Sequence, residues 1–117
     1  MNQTVIENYK YWENKREVQK NVVWYSTSRN SRVAVKVIEM SDDHLLNTIK
    51  KVYDCAKRAE DLAFIEELQS YENIKYTEWL RLLSTEYVYR KWAKEIELRN
   101  QLDYFESMRD YLEEIKF

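Results

Sequence analysis

The chain has 117 residues, a formal net charge of −2 at pH 7, and neither glycine nor proline. Ordinary composition would supply about a dozen of these two residues. Their absence excludes the phosphate-binding P-loop, the dinucleotide fingerprint and the nucleophile elbow, all of which need glycine. The near-neutral charge also lacks the basic excess typical of nucleic-acid-binding domains, and the length predicts a single domain, residues 1–117.

The first predicted element is a helix over residues 4–20. It opens with Thr4-Val5-Ile6-Glu7, a capping-box pattern in which the Thr hydroxyl and the Glu carboxylate each accept a backbone N–H. Val5, Tyr9 and Trp12 then recur at helical spacing. This spacing places the three side chains on one face of the helix.

Residues 22–38 predict a β-hairpin. Val22-Val23-Trp24-Tyr25 favours extended chain. After the polar stretch Ser28-Arg29-Asn30-Ser31, apolar and polar residues alternate along Arg32-Val33-Ala34-Val35-Lys36-Val37. Asn30 is the residue expected to take left-handed backbone at the turn. Because a two-stranded hairpin is not stable alone, we expect one face to pack on helices.

A second helix is predicted over residues 42–71, either continuous or as two helices that meet near residues 58–61. Ser41 is the expected N-cap, because Asp42 and Asp43 follow it at the positive end of the helix dipole. Met40, just before the cap, is expected to pack against Leu45 as a hydrophobic staple.

A third helical segment is predicted over residues 77–116, with Thr77 as its N-cap after a polar connection. As one helix it would span about 58 Å, roughly twice the width of a domain this size. It therefore either breaks, near Ser84-Thr85 or Asn100, or projects and pairs with a partner. Charge pairs such as Glu86 and Arg90 predict a solvated face. The apolar residues with 3–4 spacing in its second half are Leu98, Leu102, Phe105, Met108, Leu112 and Ile115.

Together these elements predict an α+β fold that is mainly helical. An N-terminal helix is followed by one β-hairpin and then by two to four helices, of which the last is long. The single cysteine excludes an internal disulfide and favours a reducing cytoplasm. No apolar run approaches the ~18 residues of a membrane span, and the N-terminus lacks a signal-peptide pattern.

The titratable residues argue against catalysis and metal binding. His44 and Cys55 would share one helix about 16 Å apart, which rules out a Cys–His pair within that helix. One His and one Cys also cannot make a tetrahedral zinc site without carboxylates. The carboxylate pairs that we interpret as solvated surface are Asp42-Asp43, Glu60-Asp61, Glu66-Glu67 and Glu113-Glu114. We expect no enzyme activity, no catalytic residue, no cofactor and no metal.

Ten tyrosines and four tryptophans are more than a domain this small can bury, and surface aromatics are typical of protein–protein hot spots. Basic and aromatic residues also interleave between Tyr87 and Lys94. That mixture favours either an amphipathic helix with Trp92 and Ile96 inward, or a face that stacks nucleobases and neutralises phosphate. The candidate partner-binding residues are Trp24, Tyr25, Arg29, Arg32, Lys36, His44, Asn47, Tyr87, Tyr89, Arg90, Lys91 and Lys94.

The segment from Trp24 to Ile49 carries a local resemblance. It has Trp24 and Thr27, a polar turn, alternating valines, Met40 and then His44-Leu45-x-Asn47. It resembles a segment of small phage and prophage proteins of unassigned function, in which a hairpin leads to Met-x-x-x-His-Leu-x-Asn at a helix start. Those turns usually carry glycine, where this chain has Asn30 or Ser31. The resemblance covers about a fifth of the chain; it implies a phage origin and brings no known activity.

Three functions follow as hypotheses. The leading one is a non-enzymatic protein-binding module, a phage accessory protein that inhibits or remodels a host protein, for example in a defence system, in the host cytoplasm. The second is a nucleic-acid-associated regulator that uses the basic and aromatic face from Tyr87 to Lys94, which the acidic net charge disfavours. The third is a self-associating structural protein, a homo-oligomer through the stripe from Leu98 to Ile115.

Overall fold

A computed structural model of the chain describes residues 3–28, 31–61 and 70–114. The mainly helical α+β fold predicted from the sequence is confirmed. In chain order the elements are α1 (Gln3–Val18), β1 (Val23–Ser28), β2 (Ser31–Lys36), a 3-10 turn (Val37–Glu39), α2 (Asp42–Asp61), β3 (Ser70–Tyr71), β4 (Ile74–Lys75) and α3 (Tyr76–Glu114).

The first helix and the hairpin lie within two residues of their predicted bounds. Since α1 begins at Gln3, Thr4 lies in its first turn and not before it, so the predicted cap position is wrong. Strands β1 and β2 pair antiparallel from Val23 opposite Lys36 to Ser28 opposite Ser31. The predicted turn residue Asn30 lies outside the described residues.

The start of α2 follows the predicted capping chemistry. The backbone N–H of His44 donates to Ser41 Oγ at 3.1 Å, which satisfies one of the free amides of the first turn. Met40 and Leu45 are both buried in the same core cluster, as the staple requires. The predicted helix over 42–71 is wrong at its end, because α2 is described to Asp61 and residues 70–71 form a strand. Residues 62–69 lie outside the described residues.

A second hairpin, β3–β4, stands where the sequence suggested only a polar connection. Ser70 pairs with Lys75 and Tyr71 with Ile74. Its two-residue loop holds Glu72 at φ 53° and Asn73 at φ 63°, the left-handed backbone that a tight hairpin turn of this length needs. Asn adopts this region readily, whereas Glu is strained there. Because the chain has no glycine, this turn places Glu72 and Asn73 in left-handed backbone.

The strain at Glu72 yields a testable difference between two substitutions. Glu72→Gly is expected to be more stable than Glu72→Ala by about 1 kcal/mol, because only alanine keeps the Cβ that disfavours positive φ. Both variants lose the same surface ion pair with Arg32, so that loss cancels. Urea denaturation measures the difference. At the exposed helical position Ser107 the order should reverse, and the alanine variant should be more stable than the glycine variant by a similar amount. If alanine were the more stable residue at both positions, the left-handed backbone at Glu72 would be contradicted.

Helix α3 is continuous over 39 residues, so the predicted breaks near Ser84-Thr85 and Asn100 are wrong. It begins at Tyr76, one residue before the predicted bound. At ~1.5 Å per residue it is about 58 Å long, and the molecule measures 74 × 32 × 24 Å. The radius of gyration is 20.2 Å, against the ~13 Å of a compact domain of this length. The helix therefore projects beyond the core, as the second alternative requires, and the pairing of its projecting part with a partner stays a prediction.

The core lies where α1, α2 and the two hairpins pack against the first half of α3. Trp79 is 1% exposed, its ring meets Trp24 edge-on at 4.9 Å between centroids, and its indole N–H donates to Tyr71 O at 2.9 Å. The ring of Tyr71 also lies 4.9 Å from Trp24. These contacts bind the two hairpins to α3. The buried residues of this core cluster are Trp24, Val37, Met40, Leu45, Val52, Trp79, Leu82 and Leu83.

Candidate protein-interaction surface

The structure corrects one predicted contact residue outright. Trp24 is 6% exposed and belongs to the core, because the inward face of β1 packs on Trp79 and Tyr71. It cannot present its ring to a partner without unfolding that packing. Arg29, the neighbouring candidate in the turn, lies outside the described residues.

The other hairpin candidates form a small polar surface. The Arg32 guanidinium lies 4.0 Å from the centroid of the half-buried Tyr25 ring and pairs with Glu72 of the second hairpin. Tyr25 also accepts a hydrogen bond through its carbonyl from Tyr71 Oη at 2.5 Å. Lys36 is exposed at the end of β2. Most of this surface therefore ties the two hairpins together, and Lys36 extends from its edge.

At the start of α2, His44 is half-buried and Asn47 is exposed. The backbone of His44 is fully engaged at this point: its N–H caps on Ser41 and its carbonyl accepts from Thr48 Oγ1 at 2.7 Å. Cys55 is half-buried further along the same helix. Burial and a hydrogen bond with Cys55 raise the pKa of Tyr76. Cys55 thus contacts α3 and not His44.

Glu86 lies buried at the centre of a cluster of charged side chains. The sequence predicts a solvated helix face at this position. Its side chain is fully buried and accepts from Arg16 Nε at 2.9 Å and from Arg90 Nε at 3.0 Å. Arg90 also binds Asp42 at 2.9 Å and the carbonyls of the turn before α2 at 3.4 Å. The prediction of a solvated pair is wrong for Glu86. Arg90 therefore links α3 to the start of α2.

Tyr89 belongs to the same internal network. The Arg16 guanidinium lies 4.6 Å from its ring centroid, and the ring of Tyr9 is 5.9 Å away. Hydrogen bonds with Glu13 and Tyr89, together with burial, raise the pKa of Tyr9 well above its usual range. Tyr89 therefore already takes part in the interface between α1 and α3, and the residue as a whole is half-buried.

Two lysines remain as exposed cations on the basic and aromatic face. The Lys91 ammonium lies 5.3 Å from the Tyr87 ring centroid, and the Lys94 side chain is 73% exposed, 3.9 Å from Asp42. Trp92 and Ile96, predicted inward, are half-buried. Arg90 and Tyr89 contact other residues inside the fold, so fewer basic and aromatic side chains of this face remain to contact a nucleic acid. Nucleic-acid binding at this face stays a prediction.

Among the described residues, most of the large apolar side chains that are exposed lie on the projecting half of α3. Helices α1 and α2 run antiparallel to α3, and their contacts reach Tyr89 and Lys94. From Glu97 to Glu114 every residue is exposed. Seven large apolar side chains there are 41–62% exposed. We call them the apolar stripe: Leu98, Leu102, Tyr104, Phe105, Met108, Tyr111 and Leu112.

The apolar stripe has a defined direction. At 100° per residue its members fall within about half of the helix circumference. That arc continues the side of α3 that packs on α2, where Leu83 and Tyr87 belong to or contact the core cluster. The sequence identified this stripe by its spacing but missed Tyr104 and Tyr111, which lie beside the 3–4 positions. Ile115 lies outside the described residues.

Among the described residues no group of three or more His, Cys, Asp or Glu side chains is placed to hold a metal ion. Within the same ranges no helix combines the length and the apolar character needed to cross a membrane. Comparison of the chain with family models, curated proteins and solved structures finds no match. Function is therefore inferred from the geometry.

Proposed function

We propose that this chain is a non-enzymatic protein-binding module that presents the apolar stripe of α3 to another protein. The observation that carries the proposal is the exposure of seven large apolar side chains along 18 residues of helix. Soluble monomers rarely expose a contiguous apolar patch of more than a few hundred Å², and larger patches mark interaction sites.

The binding mode that this surface supports is a helix laid into an apolar groove or against a second helix. Leu98, Leu102 and Phe105 follow the i, i+4, i+7 spacing of helical anchors. Tyr104 and Tyr111 flank these anchors and add rigid amphipathic rings, which favour hot spots. Because the helix is folded before it binds, association does not carry the ordering cost of a disordered segment.

The biological setting is a further part of the proposal. The segment from Trp24 to Ile49 resembles phage and prophage proteins, and on that basis we propose an accessory protein that inhibits or remodels a host protein in the host cytoplasm. The polar network around Glu86 supports the non-catalytic role, because its charges bind one another inside the fold. Neighbouring early phage genes would support this setting, and a chromosomal housekeeping operon would contradict it.

Capture of partners from bacterial lysate tests the binding surface. Wild-type protein is expected to retain at least one protein at near-stoichiometric amount, and Phe105→Lys is expected to reduce that capture at least tenfold, because it places a charge in the centre of the apolar stripe. Ser107→Lys is the matched control on the opposite side of the same helix turn and should capture as wild type. Mass spectrometry of the eluates reads the result. Equal capture by all three proteins would contradict a role for the stripe.

A further inference from the structure

Charge is distributed unevenly along the outer part of α3. Residues 91–99 carry three exposed cations, Lys91, Lys94 and Arg99, beside two glutamates, whereas residues 103–114 carry five acidic side chains and one basic. The basic half lies where α3 leaves the core, and the acidic half forms the projecting tip. A partner that covers the stripe is therefore favoured when it is basic where it meets the acidic tip.

A second copy of this helix meets that requirement in one orientation only. Laid antiparallel, the acidic tip of each copy lies against the basic half of the other. Laid parallel, each half faces its own like charge, which is unfavourable. The heptad positions that face a partner helix are Leu98, Leu102, Phe105 and Leu112, with Arg109 completing the seam.

Resting on the proposed function, we infer that in the isolated protein the apolar stripe is covered by a second copy of the chain, which forms an antiparallel two-helix dimer centred between Leu102 and Phe105. In this register Leu102 of each copy packs beside Phe105 of the other. Arg99 of each copy approaches Glu106 of the other. Lys91 and Lys94 lie near the partner's acidic tip. The isologous contact closes on itself and leaves no repeating surface for filaments.

The available area permits a specific dimer. Five apolar side chains of the stripe lie at or beside the seam; at about 200 Å² each and roughly half exposed, they offer on the order of 500 Å² per helix. Two copies would then bury about 1,000 Å² of apolar side-chain surface, at the lower limit for specific protein–protein interfaces. The free stretch of 18 residues is about 27 Å long, which corresponds to more than two heptads of helix pairing.

Sedimentation equilibrium of the full chain between about 5 and 200 µM tests the dimer. We expect a molar mass of twice the 14.5 kDa chain. Leu102→Lys is expected to weaken dimerisation at least a hundredfold and give the monomer mass across this range, because it buries a charge at the dimer centre. Ser107→Lys, on the far side of the helix, should remain a dimer. Circular dichroism of all three verifies that the helix is retained.

Disulfide trapping tests the orientation. In a Cys55→Ser background, Glu95→Cys and Leu112→Cys are each expected to give little cross-linked dimer alone. Mixed and oxidised, they should give a strong one, because residue 95 of one copy lies beside residue 112 of the other in the antiparallel register. Efficient cross-linking of each variant alone, with none added on mixing, would show a parallel pair and overturn the inference.

The outcomes separate this inference from the proposed function. A monomeric wild-type protein at 200 µM whose capture of a different protein is lost in Phe105→Lys overturns the dimer and leaves the binding module standing. A monomer whose lysate partners are unaffected by Phe105→Lys overturns both. A dimer that Leu102→Lys does not dissociate shows that the copies meet elsewhere, and it also overturns the inference.

Discussion

Replacing Glu86 by alanine is expected to lower the free energy of unfolding by about 3 kcal/mol. The side chain is fully buried and is the shared acceptor of Arg16 and Arg90, so its removal leaves two cations facing each other in a partly desolvated site. Breaking a buried charge cluster in this way costs about 3–5 kcal/mol. The lower end applies because the two arginine side chains are 27% and 21% exposed and recover some hydration.

Thermal and urea denaturation of Glu86→Ala should show this loss as a fall in Tm of about 10 °C. Glu86→Gln is expected to lose less, because an amide oxygen still accepts from one arginine. Glu17→Ala is the surface control, away from the apolar stripe: its carboxylate pairs with Lys20 at 2.7 Å on exposed α1, and its loss should cost no more than about 0.5 kcal/mol. Equal losses for Glu86→Ala and Glu17→Ala would contradict the buried cluster.

Trp79→Ala is expected to be the most destabilising substitution, with a loss of about 4 kcal/mol. The ring is 1% exposed and packs edge-on against Trp24, so truncation leaves a large cavity at the junction of α3 and both hairpins. The substitution also removes the hydrogen bond from the indole N–H to the part-buried Tyr71 O, which adds to the loss.

Urea denaturation and near-ultraviolet circular dichroism measure this loss. Trp79→Phe should lie between wild type and alanine, because phenylalanine fills much of the cavity but cannot donate to Tyr71. The aromatic dichroism of the Trp24–Trp79 pair should disappear in both variants while the far-ultraviolet helical signal persists in the phenylalanine variant. A loss below 1 kcal/mol for Trp79→Ala would show that the two tryptophans do not hold the hairpins to α3.

Several parts of the candidate surface could be read directly from residue order. The 3–4 spacing of Leu98, Leu102 and Phe105 predicted an apolar helix face, and that face is exposed in the structure. Local periodicity indicates which side chains share a face, but it does not indicate whether another element covers that face. The exposure of the stripe follows from where α1 and α2 end.

The functions of Arg90 and Tyr89 were not predictable from their neighbours in sequence. The local sequence places both residues on a basic and aromatic surface face, whereas in the structure Arg90 binds Asp42 and Tyr89 packs on Arg16. Arg16 and Glu86 are separated by 70 residues, so no local pattern reports their contact. Likewise, a strand of two residues is too short to show alternating polarity, so the sequence predicts only a polar connection where the β3–β4 hairpin lies.

The sequence by itself determined the helical class of this protein, the hairpin, the Ser41 cap and the apolar stripe, because each depends on residues within a turn or two of one another. The absence of glycine and proline also permitted α3 to continue unbroken. Only the tertiary structure decided that Glu86 and Trp24 are buried, that Arg90 links α3 to α2, and that the end of α3 extends beyond the other helices. The burial and the contacts of a side chain depend on which distant elements meet. Here they follow from the packing of α1 and α2 along the first half of α3.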